Sequence, residues 1–195
     1  MAETVITQGC SAVVIGGSAG SLDVLLEIFP KLDKNLPFPI IIVIHRKPGG
    51  ESLLTDLLQN RTQLNVMEAE EKQPIKAGYV YIAPADYHLL IEENQSFSLD
   101  YSEKINYSRP SIDVTFQSAA DVYKDSLYCI LLSGSNADGL DGMRTVKRFK
   151  GKLVIQNPDT AIMPFMPQQV KSNLKADYIL NAWEMASFIN NLCKV

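Results

Sequence analysis

Residues 12–21, Ala-Val-Val-Ile-Gly-Gly-Ser-Ala-Gly-Ser, decide the fold of this chain. The run opens with apolar, mostly β-branched residues, which is typical of a buried strand. It ends in glycines that let the backbone turn sharply, and a pattern with helical spacing follows over residues 22–29. The spacing Gly16-x-Ser18-x-Gly20 is that of a nucleophile elbow, a turn that presents a hydroxyl at the end of a strand. Ser18 is therefore either an activated nucleophile or a hydroxyl in a phosphate-binding loop.

Strand-like and helix-like segments alternate along the rest of the chain. The runs Ile40–Ile44 and Leu127–Leu132 are apolar throughout, as expected of central parallel strands that are covered on both faces. Between Gly78 and Asp100, three short strand-like runs follow one another with only turn residues between them. The pattern predicts a doubly wound, mostly parallel α/β sheet of the Rossmann-like type, with an antiparallel edge excursion around residues 78–100. We expect a short tail over residues 1–10 and a single domain over residues 11–195.

Composition narrows the classes of partner and location. The net charge of −4 disfavours a nucleic-acid partner, because binding to phosphates needs a positive surface. Cys10, Cys129 and Cys193 are odd in number and lie far apart, so they predict neither disulfides nor a metal site, and they point to a reducing compartment. The chain shows no signal peptide and no apolar run of membrane-spanning length. We therefore expect a cytoplasmic protein with no metal, no cofactor and no direct membrane insertion.

Three polar residues follow strand-like runs whose carboxyl ends should meet in one crevice. Ser18 follows the first run, His45 follows the second, and Asp138 lies in the loop after Leu127–Leu132. In an open α/β sheet the functional crevice lies beyond these strand ends. A serine hydrolase needs a hydroxyl, a base and a carboxylate that orients the base. We expect His45 Nε2 to lie within hydrogen-bond reach of Ser18 Oγ, and His45 Nδ1 within reach of the Asp138 carboxylate.

Residues near this crevice supply candidates for further roles. Backbone amides at the start of a helix carry unpaired N–H groups that could stabilise a tetrahedral oxyanion. The candidates for this oxyanion and substrate loop are Ala19, Gly20 and Ser135. Loops beside the crevice make Arg109, Met163 and Met166 candidates for the wall that contacts substrate.

Each catalytic candidate also has an ordinary structural interpretation. A serine in a glycine-rich turn is common in nucleotide-binding folds, a lone histidine is often half-buried, and Asp138 could simply cap a helix. However, the turn does not fit G-x-G-x-x-G, because position 18 is serine and position 21 is not glycine. His45 also stands where a dinucleotide site would have an acidic residue. A dinucleotide site is therefore disfavoured, although an anion could still bind the helix N-terminus.

Motifs along nearly the whole chain strengthen the hydrolase interpretation. They are Ile15–Gly20, His45 with Pro48-Gly49, Tyr81–Pro84, Arg109–Val114, Leu132–Gly134, Asp138-Gly139, Gly142-Met143, Gln156-Asn157 and Met166-Pro167. In these residues the chain resembles the catalytic domain of the chemotaxis protein-glutamate methylesterase family. The resemblance implies a Ser18–His45–Asp138 triad that hydrolyses glutamate γ-methyl esters on the cytoplasmic helices of chemoreceptors. It also implies a possible second activity, deamidation of receptor glutamines.

Three departures from the family pattern keep a second hypothesis open. Ala19 replaces the usual threonine after the nucleophile, and Ser135 stands at a position that is usually methionine. Typical members also carry a receiver domain before the catalytic domain, whereas about ten residues precede the first strand here. We expect a receiver domain to be supplied by a longer parent chain or by a separate protein. The alternative is a catalytically impaired module that binds receptor or partner on the same fold.

Overall fold

The computed structural model describes residues 9–46, 49 and 51–192, without the side chains of residues 51 and 52. Pro48 and most of the predicted tail lie outside the described residues. The strands are β1 (Ala12–Gly17), β2 (Ile40–Ile44), β3 (Asn65–Glu68), β4 (Tyr79–Ile82), β5 (His88–Ile91), β6 (Phe97–Asp100), β7 (Leu127–Leu131), β8 (Lys152–Gln156) and β9 (Tyr178–Leu180). The helices are α1 (Ser21–Ile28), α2 (Glu51–Gln59), α3 (Ile112–Tyr123), α4 (Leu140–Arg148), α5 (Phe165–Asn173) and α6 (Ala182–Asn191).

The main sheet of the described residues has seven strands in the order β3-β4-β2-β1-β7-β8-β9, and all of their pairings are parallel. Val14 in β1 lies between Ile41 on one side and Cys129 on the other. The chain builds outward from β1 first through β2 and later, in the opposite direction, through β7. The prediction of a doubly wound, mostly parallel sheet is confirmed. The reversal of winding at β1 opens a crevice at the carboxyl ends of β1, β2 and β7.

The antiparallel excursion is confirmed, but it is narrower than the sequence indicated. The strands β5 and β6 pair with each other as a separate two-stranded sheet that packs on α3. The preceding strand, β4, is instead an interior member of the parallel sheet, between β2 and β3. A loop rather than a helix joins β3 to β4. Because no helix separates these two strands, the sequence pattern assigned β4 to the antiparallel excursion.

Helices cover both faces of the sheet and form two apolar cores. Along β1 the side chains alternate, because successive residues of a strand point to opposite faces. Val14 packs in the core beneath α3, α4 and α5, whereas Val13 and Ile15 pack in the core beneath α1, α2 and α6. This double coverage explains why the central strands are apolar at every position. Among the described residues no helix is long and apolar enough to span a bilayer.

Candidate active site

The turn between β1 and α1 holds Ser18 at the carboxyl end of the central strand. Gly20 has φ +80°, a left-handed conformation that strains any residue with a Cβ atom. The Ser18 amide donates to Ser133 O at 2.9 Å, and the Ser18 carbonyl accepts from both the amide and the hydroxyl of Ser21. These bonds anchor the backbone on either side of Ser18, so the elbow is tied to β7 and to the first turn of α1.

The loop after β7 packs tightly against this elbow. A Cβ atom at Gly134 would lie 1.8 Å from Met166 Sδ and 3.0 Å from Ser18 Cβ, so only glycine fits without displacing its neighbours. The Ser133 hydroxyl donates to Ala19 O at 2.8 Å and accepts from the Met163 amide at 2.9 Å. The elbow, the β7 loop and the segment before α5 therefore form one hydrogen-bonded unit around Ser18.

His45, at the end of β2, is held between Asp138 and Asn136. Its Nε2 lies 2.8 Å from Asp138 Oδ2, and its Nδ1 lies 3.0 Å from Asn136 Nδ2. The Asp138 amide donates to Asn136 Oδ1 at 3.2 Å, which leaves the Asn136 NH₂ group to face the ring. Because Nδ1 accepts from that amide, the tautomer that fits carries its proton on Nε2 and donates it to Asp138.

The ring of His45 is thus oriented the opposite way from our expectation. We expected Nδ1 to contact Asp138 and Nε2 to contact Ser18, whereas Nε2 contacts Asp138, Nδ1 faces Asn136, and Ser18 Oγ has no hydrogen bond to His45 among the described residues. Asp138 itself is held in place by the Ser111 hydroxyl and by the amides of Ile112 and Asp113. The ring nitrogen left to act as a base is therefore Nδ1, once it gives up its hydrogen bond from Asn136.

Asp138 is buried, with 1% of its surface exposed, at the N-terminus of α3. Its Oδ2 accepts from the Ile112 amide at 2.6 Å, and its Oδ1 accepts from Ser111 Oγ at 2.9 Å and the Asp113 amide at 3.1 Å. The first amides of a helix lack intrahelical partners and carry partial positive charge, so they favour an anion. Burial alone would raise the pKa of Asp138, but hydrogen bonds from His45, Ile112 and Asp113 outweigh it and lower the pKa.

Ser18 and His45 line the same cavity, which has a volume of about 460 Å³. Apolar side chains of α1 and α2 form its far wall, among them Leu22 and the largely exposed Leu53. Within the described part of the chain, Ser18 Oγ makes no hydrogen bond, and neither do the amides of Ala19 and Gly20. The cavity therefore brings together a hydroxyl and amide donors that have no hydrogen-bond partner among the described residues, an imidazole and an apolar wall.

The third candidate for the oxyanion loop, Ser135, lies next to Gly134 and beside the elbow. Its amide also has no hydrogen-bond acceptor among the residues that the structure describes, whereas the Gly134 amide is engaged by Met163 O. Among the described residues, N–H groups without an acceptor thus lie both on the turn that holds Ser18 and on the loop after β7. Their role in holding an oxyanion stays a prediction.

The three candidates for the substrate wall lie in different environments. Arg109 donates from Nε and Nη2 to Asp86 Oδ1, and from Nη1 to the carbonyls of Tyr101 and Ser102, so most of its donors are engaged. It also lines a second cavity, of about 350 Å³, that reaches His45. Met163 is partly exposed, whereas Met166 is 1% exposed and packs beneath Gly134. Their contact with substrate stays a prediction.

Sequence reasoning missed two groups that hold His45 and Asp138. Ser111 is the N-cap of α3 and supplies a hydroxyl to Asp138, yet it lies 27 positions away along the chain. Asn136 contacts the base nitrogen of His45 through its side chain. The one available signal was its position two residues before Asp138, a spacing at which an asparagine side chain commonly accepts from the backbone. Among the described residues, no group of three or more His, Cys, Asp or Glu side chains could hold a metal ion.

Comparisons with known proteins show the family to which the chain is similar. The family model described as CheB methylesterase matches residues 13–189. A Leptospira interrogans protein, provisionally named a protein-glutamate methylesterase/protein-glutamine glutaminase, is 39% identical over 93% of this chain and 94% of its own length. A Thermotoga maritima protein with the same two activities in its name is also 39% identical, but the chain spans only 51% of it.

A solved structure gives the same result for the fold. The crystal structure of the Thermotoga maritima CheB methylesterase catalytic domain superposes with a TM-score of 0.90 and 37% sequence identity. The match covers 95% of this chain and 100% of that domain. A family model that spans most of the chain, together with relatives above 30% identity, establishes the relationship. The chain belongs to the CheB methylesterase family.

Proposed function

We propose that this chain is a serine hydrolase that removes methyl esters from glutamate side chains of chemoreceptors in chemotaxis adaptation. The observation that carries the proposal is the hydrogen bond from His45 to the buried Asp138, because His45 and Ser18 line one cavity. Membership of the CheB methylesterase family gives the reaction class, because the named relatives are protein-glutamate methylesterases. The same names support a second activity, deamidation of receptor glutamines.

In the proposed acylation step, Ser18 Oγ attacks the γ-carbonyl carbon of the ester while its proton passes to His45 Nδ1. Asp138 stabilises the positive charge that forms on the ring, through the bond to Nε2. The amides of Ala19, Gly20 and Ser135 are the donors that we assign to the oxyanion. The tetrahedral intermediate then collapses, and the methoxy group leaves as methanol with the proton from Nδ1.

The proposed deacylation step repeats this chemistry with water as the nucleophile. Nδ1 takes a proton from water, the hydroxyl attacks the acyl-Ser18 carbonyl, and collapse releases the glutamate carboxylate and restores the serine. A glutamine side chain would follow the same path with ammonia as the leaving group. The apolar wall of the cavity would lower the local dielectric and so strengthen the electrostatic effect of the amide donors.

The proposed substrate is a helix of the cytoplasmic part of a methylated chemoreceptor, which places the reaction in the cytoplasm. We further propose that a response-regulator receiver domain controls access to the cavity, from a longer parent chain or a separate protein. The length of the Thermotoga maritima relative, of which this chain spans 51%, leaves room for such a domain. We retain the division into a tail over residues 1–10 and a catalytic domain over residues 11–195 as part of the proposal.

Methanol release from methylated receptor fragments tests the mechanism. We expect Ser18→Ala to lower kcat by several orders of magnitude, because the acyl-enzyme can no longer form. Ser187→Ala, which changes an exposed serine on α6, is the matched control and should retain full activity. Undiminished release by Ser18→Ala would refute the mechanism. A wild-type protein that cosediments with receptor fragments but releases no methanol would instead support the binding module.

A further inference from the structure

Two buried aspartates join the starts of α3 and α4 in a reciprocal arrangement. Asp113, in the first turn of α3, accepts on Oδ1 from the amides of Gly139 at 2.9 Å and Gly142 at 2.6 Å, where α4 begins. Asp138, directly before α4, accepts in return from amides in the first turn of α3. Each helix N-terminus is thus satisfied by a carboxylate that comes from the start of the other helix.

The second oxygen of Asp113 has a partner of its own. Asn106, at the tip of a tight turn closed by mutual bonds between Ile105 and Ser108, donates from Nδ2 to Asp113 Oδ2 at 3.1 Å. Ser108 in the same turn lies 3.4 Å from His45 Nδ1. One turn therefore contacts both Asp113 and the base nitrogen, so Asp113 is linked to the candidate active site from two directions.

The two carboxylates differ in how readily they ionise. Asp113 is only 4% exposed, and burial, together with the negative charges of Asp138 and Asp141, raises its pKa to about 7 against the opposing bond from Gly142. Asp138 has the opposite shift, because His45 and the α3 amides favour its charged form. Two adjacent carboxylates favour unequal ionisation, and the four hydrogen bonds that Asp138 accepts favour its charged form.

We propose that Asp113 is a positioning residue that holds Asp138 against His45 and, through its own ionisation, sets the pH at which His45 takes up a proton. Asp113 touches neither the cavity nor the base, so it acts through Asp138 and the start of α4. When Asp113 is ionised, its negative charge adds to that of Asp138 and stabilises a protonated ring. The catalytic consequence of this coupling rests on the proposed function, but the coupling itself does not.

The other charged or titratable groups near Asp113 have interaction partners of their own. On α4, Asp141 is exposed and forms an ion pair with Arg144, so solvent screens its charge. On β5, the buried His88 accepts from the Ser111 amide at Nδ1, and its Nε2 contacts Glu103 O at 2.9 Å. His88 is thus engaged at both nitrogens, and the Asp138–His45 pair remains the group that responds to Asp113.

Histidine titration by NMR tests the coupling without any substrate. The chain has two histidines, so a His45→Asn variant, which retains only His88, assigns the two ring Cε1–H signals. Asp113→Asn keeps an acceptor oxygen for the α4 amides but loses the charge. We expect the titration midpoint of His45 to move to lower pH by up to about one pH unit, because Asp113 is only partly ionised near neutral pH. Asp141→Asn, which removes a nearby exposed charge, is the matched control and should move it far less.

A second variant and an activity measurement complete the test. Should Asp113→Asn fail to fold, Asn106→Gly removes a donor that favours the ionised form, and Gly suits the positive φ of 49° at that position. It should move the His45 midpoint in the same direction. In active protein, the acidic limb of the pH dependence of kcat should move with the NMR midpoint, while kcat on the plateau falls less than tenfold.

The outcomes distinguish this inference from the proposed function. Equal midpoints in wild type, Asp113→Asn and Asp141→Asn would overturn the inference even if the wild type hydrolyses esters. A shifted midpoint in a protein that releases no methanol would support the inference and contradict the proposed function.

Discussion

Replacing Asp138 with asparagine should damage both the fold and the proposed chemistry, for separate reasons. The carboxylate accepts four hydrogen bonds, two on each oxygen, whereas an amide has a single acceptor oxygen. The least costly orientation keeps that oxygen toward His45 and Ile112. The NH₂ group then faces the Ser111 hydroxyl, which can rotate to accept, and the Asp113 amide, which cannot.

The stability cost follows from this one unsatisfied donor. A buried N–H group without an acceptor costs about 1–3 kcal/mol, so Asp138→Asn should lower the free energy of unfolding at pH 7 by about that amount. Because the folded-state pKa of Asp138 is lowered, its contribution to stability is present above the unfolded value and is lost as pH falls through the folded value. The difference between wild type and variant should therefore narrow below about pH 4.

The expected loss of activity is larger than the loss of stability. The variant has no carboxylate beside Nε2 to stabilise the positive charge of the protonated His45 ring. A neutral amide in place of the acid typically lowers kcat by roughly 10⁴-fold in serine hydrolases. Methanol release at 25 °C, with urea unfolding of the same samples, separates the two effects. A folded Asp138→Asn protein that keeps more than a tenth of the wild-type kcat would refute the role of Asp138.

Three further changes test other contacts. Asn136→Ala frees His45 Nδ1 from a hydrogen bond worth about 0.5–1.5 kcal/mol, so kcat should rise about 2- to 10-fold; a fall in kcat would mean that the amide assists catalysis. Gly134→Ala should lower the free energy of unfolding by about 1–3 kcal/mol. Met166→Ala removes the clash but also empties a buried position, so the double variant should lose less stability than the two single variants added together, and additive losses would exclude the predicted clash. Because the pKa of Asp113 in the folded protein is raised to about 7, its contribution to the free energy of unfolding should decline as pH rises from about 4 to 7. Urea unfolding should therefore show Asp113→Asn gaining stability relative to wild type over that range, and a constant difference would contradict the raised pKa.

The sequence was most informative where the fold leaves few choices. Parallel strands bring their carboxyl ends to one edge, so residues that follow β1, β2 and β7 must lie near one another once the strand order is known. The apolar runs at Ile40–Ile44 and Leu127–Leu131 already indicated that these strands are central. His45 and Asp138, 93 positions apart, are accordingly in hydrogen-bond contact.

The sequence was least informative where a contact depends on the angle between helices. Nothing local to Ser111 or Asp113 indicates that α3 begins beside the β7 loop, because that contact follows from how α3 and α4 pack on the sheet. The same packing sets the side from which Asp138 reaches His45, and hence which ring nitrogen remains free. The place of β4 was missed for a related reason, since a loop makes its parallel connection to β3.

The two substitutions that favoured an impaired module have less weight in the light of the site geometry. Ala19 and Ser135 change side chains, but the groups that we assign to the oxyanion are backbone amides, which any residue except proline supplies. What those amides require is a backbone held in place, and the Ser133 bonds to Ala19 and Met163 provide that independently of the two altered side chains. A loss of activity from these substitutions would have to act through contacts with substrate, and would therefore raise KM more than it lowers kcat.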